Sequence, residues 1–231
     1  MSGPAPAAEN PPAAFVYLMR CADGSLYGGW TTDVARRARA HMAGRGARYT
    51  RARHAVALAY AELCPDKSAA LRREAALKAL PKAGKEALAA RWRADTSARL
   101  RRAAAGDVPA VAALLGWCAA HDRGGARLAE AAGGWLAALA GSESAGPALP
   151  GLVAAGPGGR MLGVCWAAPA PGGAAEVWAV CAPCARGIGL GGRLTAALAE
   201  VLRAQEYSVK PAAARGFGGG AAGLARRFAS V

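Results

Sequence analysis

A strand, a tight turn and a returning strand at residues 14–30 constrain this chain more than any other feature. Phe15, Tyr17, Met19 and Cys21 alternate along Ala14 to Cys21 and share one face of a strand. Asp23-Gly24 follows, a pair whose conformational freedom suits a two-residue hairpin turn. Ser25 to Trp30 reads as the return strand, interrupted by Gly28-Gly29, where another group can approach the backbone. Thr32 or Asp33 caps a helix to about Met42, and Gly44 and Gly46 end it. Ala55 to Leu63 reads as a third strand. Asp66 or Ser68 starts a helix to about Leu80, and Pro81 opens another through about Arg93. This is a small α/β unit ending near residue 95.

Two of these helices carry polar residues where apolar ones belong. Val34, Arg37, Ala38 and His41 fall on one inward stripe at i, i+3, i+4 and i+7. Leu71, Glu74 and Leu77 lie three apart on the next helix, which turns a carboxylate inward. Such a charge needs a partner, because an unpaired buried charge is very costly. With Tyr17 and Tyr27 on paired strands, five side chains converge on one cleft: Tyr17, Tyr27, Arg37, His41 and Glu74. Simpler uses stand beside this one. Glu74 can pair with Lys78 at i+4, Arg37 can snorkel from the stripe's edge, and both tyrosines can be packing.

The charge is concentrated in the same region. Residues 36–102 hold eighteen Lys and Arg against five Asp and Glu, which is +13 of the net +14. A local basic field suits a polyanion, nucleic acid first, or simply a well-solvated surface. A membrane partner fits less well. No apolar stretch approaches the roughly 20 residues of a span, and the basic positions lack a bulky apolar opposite face. Met1 to Pro12 reads as a disordered Pro/Ala lead without signal-peptide features. Six Cys without a secretory segment suit reduced thiols and a cytoplasmic location.

A second pattern begins near residue 98. Ala98–Ala103 reads as a strand, Asp107 caps a helix to about Ala120, and Gly124–Ala140 reads as helical. Gly141–Pro150 is a Gly/Ser/Pro-rich loop. Leu152–Ala155, Met161–Ala167 and Ala175–Val180 read as strands. Gly189–Ala204 is a helix on the spacing of Leu190, Leu194, Leu198 and Val201. Arg186-Gly187-Ile188-Gly189-Leu190-Gly191 links the last strand to that helix, a setting in which backbone N–H groups and a helix N-terminus face an anion. Cys181-Ala182-Pro183-Cys184 supplies half a zinc site, which Cys118 and His121 complete only if folding gathers all four. Packing cysteines at a strand end are the simpler reading.

The run Phe15-Val16-Tyr17, followed by Leu26-Tyr27-Gly28-Gly29-Trp30-Thr31, resembles the GIY-YIG nuclease family, in particular its small bacterial stand-alone members. Arg48-Tyr49-Thr50-Arg51 and Leu71-Arg72-Arg73-Glu74-Ala75-Ala76 continue the likeness across residues 13–90. The resemblance implies a three-stranded antiparallel sheet flanked by helices. It also implies that Tyr17 and Tyr27 are the motif tyrosines, Arg37 the catalytic arginine, His41 the histidine one turn later, and Glu74 the carboxylate that holds one Mg²⁺ or Mn²⁺. One tyrosine would act as a phenolate base, its pKa lowered from about 10 by the metal and nearby cations. Arg45, Arg48, Arg51 and Arg53 would grip phosphates of DNA. Gly28, Met42 and Ala55 depart from the family's usual Thr, Asn and Pro. These departures bear on substrate fit and remove no catalytic residue type.

Residues 98–228, through the loop at 186–191, resemble the GNAT acyltransferases. There the resemblance implies that Arg186, Gly187, Ile188, Gly189, Leu190 and Gly191 hold the pyrophosphate of acetyl-CoA, with an amine as acyl acceptor. The family's segment containing the acid Tyr corresponds to Leu224-Ala225-Arg226-Arg227-Phe228, which has Ala225 at the Tyr position. Gly216–Gly220 is nearly all glycine, and Val231 stops short of the family's last strands. The expectation is an α/β chain of three parts: a lead at 1–12, a GIY-YIG nuclease-like domain at 13–95, and a truncated mixed-sheet GNAT-like domain at 98–231. Its function is metal-dependent cleavage of structured or damaged DNA, with an appended CoA-binding unit. The alternative is an N-acetyltransferase docked on nucleic acid by a non-catalytic first domain. A non-catalytic DNA-binding module is a third.

Overall fold

Strand β1 (Ala14–Cys21) lies between β2 (Leu26–Thr31) and β3 (Ala55–Cys64) in an antiparallel sheet. Because helices cover both its faces, nearly every β1 residue is buried, and the sequence alternation understates this burial. The computed structural model describes residues 13–122, 125–142, 145 and 149–211. The β1–β2 register pairs Tyr17 with Gly29 and Met19 with Tyr27, so these four share one face. Gly24 turns the hairpin at φ +76°, a conformation in which a Cβ is strained.

The helices follow their caps. Asp33 Oδ1 accepts from Arg36 N at 2.9 Å and starts α1 (Val34–Met42), which buries Val34, Ala38 and His41. Asp66 does the same for Ala69 N at 2.7 Å at the head of α3 (Lys67–Ala79). Helix α4 (Lys82–Asp95) begins directly after Pro81. A short helix, α2 (Arg48–Arg53), precedes β3 and was not anticipated from the sequence. One stripe is corrected. Leu71 is 43% exposed, and α3 packs inward through Ala70 and Leu77. The helix has apolar residues on all sides, so three-residue spacing alone did not fix which side faces the sheet.

The second sheet runs β4 (Arg99–Arg102), β5 (Gly151–Ala155), β6 (Met161–Ala170), β7 (Ala174–Cys181), β8 (Ser208–Pro211). Its first four strands pair antiparallel and β8 joins β7 in parallel. Helices α5 (Val108–His121) and α6 (Gly125–Leu139) cover one face, packing on Val153, Val164 and Trp166. Helix α7 (Leu190–Arg203) covers the other through Leu190, Leu194, Leu198 and Leu202, against Leu152, Ala154 and Cys165. Strand β8 is an addition to the sequence reading. Asp107 begins α5 but does not cap it with its side chain. It pairs with Arg101 at 2.7 Å and accepts from Ala104 N.

The chain is therefore an α/β protein of two sheets, three-stranded antiparallel and five-stranded mixed, as expected. The Met1–Pro12 lead, Gly216–Gly220 and the Leu224–Phe228 segment with Ala225 lie outside the described residues. No helix among those described is long and apolar enough to cross a membrane. The two sheets meet through α4, β3 and the turn at Pro183–Ala185. Trp92 Nε1 donates to the Cys184 carbonyl at 2.9 Å, and Arg160 donates to the Asp95 carbonyl at 2.6 Å. Ile188 packs against both the first sheet's core and the α7 core.

Candidate active site

Four of the five expected side chains form one connected group on the α1 face of the first sheet. Tyr17 Oη is 2.8 Å from His41 Nε2, and Arg37 Nε donates to the same oxygen at 3.1 Å. The other imidazole nitrogen, Nδ1, lies 2.7 Å from Thr50 Oγ1, whose hydroxyl donates to the Ala47 carbonyl at 2.9 Å. The direction of the chain follows. Thr50 spends its only proton on Ala47, so it accepts from His41 Nδ1–H. His41 Nε2 then carries the lone pair and accepts from the Tyr17 hydroxyl. Thr50 is fully buried and was not named from the sequence as a site residue. A polar side chain on the buried side of an otherwise exposed basic segment was the available signal.

Electrostatics agree with that direction. Burial, and then the Arg37 charge, push His41 down to about 4, so the imidazole is neutral near pH 7. Burial raises Tyr17 above 10.0, and the Arg37 hydrogen bond and charge oppose it without prevailing. Tyr17 and His41 are each 1% exposed, so they lie beneath the cleft rather than lining it. Two glycines make room for them. A Cβ on Gly29 would sit 2.5 Å from Tyr17 Oη, and one on Gly46 would sit 2.2 Å from His41 Nδ1.

Tyr27 and Arg37 are partly exposed and form the upper layer. The Tyr27 ring tilts against His41 at 5.4 Å and stacks on Tyr49 at 5.8 Å. The Arg53 guanidinium covers the Tyr49 ring at 4.2 Å and also pairs with Asp23 at 3.1 Å. Arg45, Arg48, Arg51 and Arg53 are all exposed on α2 and its approach. Tyr49, another residue not named as a site residue, thus joins this basic rim to the buried chain.

Glu74 stands at the margin of the group. It comes from α3, and Gly28 of β2 lies against that helix, its Cβ position 3.6 Å from Lys78 Cγ, while Gly29 lies against Tyr17. Its negative charge contributes to raising Tyr17. Its carboxylate is 15% exposed and pairs with Lys78 Nζ at 2.8 Å, the i+4 partner foreseen from the sequence. Among the described residues no three or more His, Cys, Asp or Glu gather as metal ligands.

In the second sheet the loop at 186–191 is already engaged. Arg186 makes a two-pronged ion pair with Asp122 at 2.6 and 2.8 Å and lies over the Trp117 ring at 5.0 Å. A Cβ on Gly187 would meet Leu58 Cδ2 at 2.8 Å, so this loop abuts the first sheet. Gly189, at φ +78°, precedes Leu190 and Gly191 in the first turn of α7. All six cysteines are free thiols. Burial pushes Cys118 and Cys181 to about 12, which keeps them protonated. His121 stacks on Trp117 at 4.5 Å and bonds its carbonyl, apart from any cysteine cluster.

Comparison with known proteins falls on the same two regions. The pattern of the GIY-YIG catalytic domain matches residues 13–87. The UPF0213 protein of Desulfotalea psychrophila is 51% identical over 78 residues, 33% of this chain and 71% of that protein. Its counterpart in Halobacterium salinarum is 52% identical over 73 residues, 32% of this chain and 95% of that one. The solution structure of the UPF0213 protein of Bacillus halodurans shares 42% identity over 34% of this chain and 83% of its own, with a TM-score of 0.23. A ribosomal-protein-alanine N-acetyltransferase from Brucella melitensis is similar at 25% identity over 57% of this chain and 83% of its own, with a TM-score of 0.40. By the identity and coverage of its UPF0213 relatives, this chain belongs, through residues 13–87, to the GIY-YIG catalytic-domain family.

Proposed function

We propose that residues 13–95 form a metal-dependent endonuclease unit acting on structured or damaged DNA, with residues 98–231 as an appended unit. The observation that carries this reading is the buried chain Arg37–Tyr17–His41–Thr50 beneath an exposed arginine rim. A single carboxylate suits a largely hydrated Mg²⁺ or Mn²⁺ whose shell water and substrate phosphate complete. Glu74 would hold that ion, exchanging its bond to Lys78 for it. Once bound, the ion neutralises a phosphate oxygen and stabilises the leaving one.

The chain's own residues supply the rest. Arg37 is anchored through Nε on Tyr17, which leaves its two terminal nitrogens for the phosphate, where a planar guanidinium stabilises growing charge. His41 is a neutral acceptor with a fixed tautomer, so it holds the hydroxyl proton of the buried Tyr17 and keeps that oxygen turned toward Arg37. Tyr27 is the tyrosine that meets water directly. Arg45, Arg48, Arg51 and Arg53 hold flanking phosphates without reading sequence. Free, reduced cysteines suit a cytoplasmic protein. The test is cleavage of labelled nicked, branched and flapped DNA with and without Mg²⁺ or Mn²⁺. Glu74→Ala should abolish cleavage, and equal activity in variant and parent would sink the assignment.

Acetyl-CoA binding at residues 186–191, with transfer to an amine, is the second reading. The left-handed Gly189 opening a 14-residue helix favours it. Thermal stabilisation by millimolar CoA would support it, and no shift would remove it.

A further inference from the structure

Tyr27 has little to lean on within its own sheet. It stands on an edge strand, and the next residue on the same face of β2 is Gly29, which has no side chain. Its ring is held from outside the sheet, by His41 at 5.4 Å and by Tyr49 at 5.8 Å, the latter inclined by only 28°. Tyr49 is covered in turn by the Arg53 guanidinium, 4.2 Å from the ring centroid. Arg53 Nε lies 3.1 Å from Asp23 Oδ2. The other oxygen of Asp23 accepts from Ser25 N and Ser25 Oγ at 2.9 and 2.6 Å. The column therefore runs Asp23–Arg53–Tyr49–Tyr27–His41, and it starts in the turn of the β1–β2 hairpin that carries both motif tyrosines.

We propose that Tyr49 is a positioning residue for Tyr27, locked in place by Arg53 and Asp23, an inference that rests on the nuclease reading above. Arg53 then has a task that its rim neighbours lack. Among the described residues Arg45, Arg48 and Arg51 make no ion pair, whereas the charge of Arg53 is already met by Asp23. A cation over one phenol and a second phenol stacked beside it favour one plane for each ring. A phenol held in one plane keeps its oxygen aimed at the cleft, where a small misplacement costs rate steeply. The column can be cut without undocking the hairpin. Ala22 N–H donates to the Arg53 and His54 carbonyls at 3.1 and 2.9 Å, and these bonds use no side chain. An ion pair whose partners are each 45% exposed contributes little to stability.

The test pairs steady-state cleavage of whichever labelled nicked, branched or flapped DNA the parent cuts with the Tyr27 ring resonances of tyrosine-labelled protein, read without DNA or metal. Asp23→Ser keeps an oxygen for Ser25 N–H and removes the charge facing Arg53. It should lower kcat by about fivefold with KM unchanged, and shift the Tyr27 resonances as the Tyr49 ring moves against them. Tyr49→Leu should lower kcat by about tenfold, and Tyr49→Phe, which keeps the ring, should restore most of it. If Arg53 were a phosphate grip alone, Asp23→Ser would do the reverse: the freed cation would lower KM and leave kcat as it was. That outcome, or Tyr27 resonances unmoved in Asp23→Ser, overturns the column and leaves the nuclease reading standing. A parent that cuts none of these DNAs with Mg²⁺ or Mn²⁺ overturns both.

Discussion

At the scale of single residues, the least obvious member of the site is Thr50. It fixes which imidazole nitrogen carries the proton, and with it whether Tyr17 has an acceptor. Thr50→Val keeps the shape and removes the acceptor for His41 Nδ1–H. An unsatisfied buried donor costs about 1–3 kcal/mol, and the other tautomer would relieve it by turning Nε2 into a donor toward Tyr17. Cleavage should fall tenfold or more in Thr50→Val and return in Thr50→Ser, with the tautomer followed by ¹⁵N shifts of His41. Unchanged shifts and rate in the valine variant would remove Thr50 from the relay.

His41 also ties the site to stability. Its pKa is about 4 when folded against an ordinary value of 6.5, so between those values the unfolded chain binds more protons. The stabilising effect is fully present above pH 6.5, is lost as pH falls toward 4, and amounts to about 3 kcal/mol. Urea unfolding across that range should show the slope, and His41→Asn should flatten it. An equal slope in both proteins would assign it elsewhere. Arg37 and His41 were legible in the sequence because the inward stripe of α1 exposes misplaced polarity, whereas Leu71, on the stripe that carried Glu74, is exposed. Thr50 and Tyr49 were not, because a six-residue helix shows too little periodicity to separate its buried side from its exposed one.

At the scale of elements, β2 is shaped by what lies against it. Gly28 and Gly29 differ in the reason for their lack of a side chain. A Cβ at Gly28 would meet Leu18 and Lys78 at 3.5 and 3.6 Å, which is ordinary contact, so the family's usual Thr at this position is not barred by the first atom of its side chain. A Cβ at Gly29 would overlap the Tyr17 phenol, whose Oη is 2.5 Å away and whose Cζ is 2.7 Å away. Gly29→Ala should therefore destabilise by about 1–3 kcal/mol through overpacking. Only part of that cost should disappear in a Tyr17→Phe background, because the hydroxyl is gone while the overlap with Cζ at 2.7 Å remains. A double-mutant cycle of chemical unfolding reads this coupling, and strictly additive losses would separate the glycine from the phenol. The same strands and helices were placed from the sequence to within a few residues, since caps at Asp33 and Asp66 and the breaks at Gly44 and Pro81 punctuate them. Strand β8 escaped because four residues ending in Pro211 carry no alternation, and Leu71 misled because apolar and charged residues are mixed all around α3.

At the scale of the whole molecule, the two sheets are joined by more than a linker. Gly187 abuts Leu58, and its Cβ position is also 3.7 Å from Ala35 Cα, in the first turn of the helix that carries Arg37 and His41. Ile188 and Trp117 each pack against more than one core, and Trp92 binds the Cys184 carbonyl across the junction. None of this was legible in the sequence, where the glycine-rich loop reads as a seat for an anion. An interface built from shared apolar packing couples the stabilities of the units it joins, unlike the polar and easily parted contacts common between domains. Gly187→Val combines a strained φ of +82° with an overlap on Leu58, so it should loosen the junction. Calorimetry should show one transition for the parent protein and two for the variant, and cleavage should fall as α1 loses its support. Two transitions already present in the parent would mean that the second unit is a passenger.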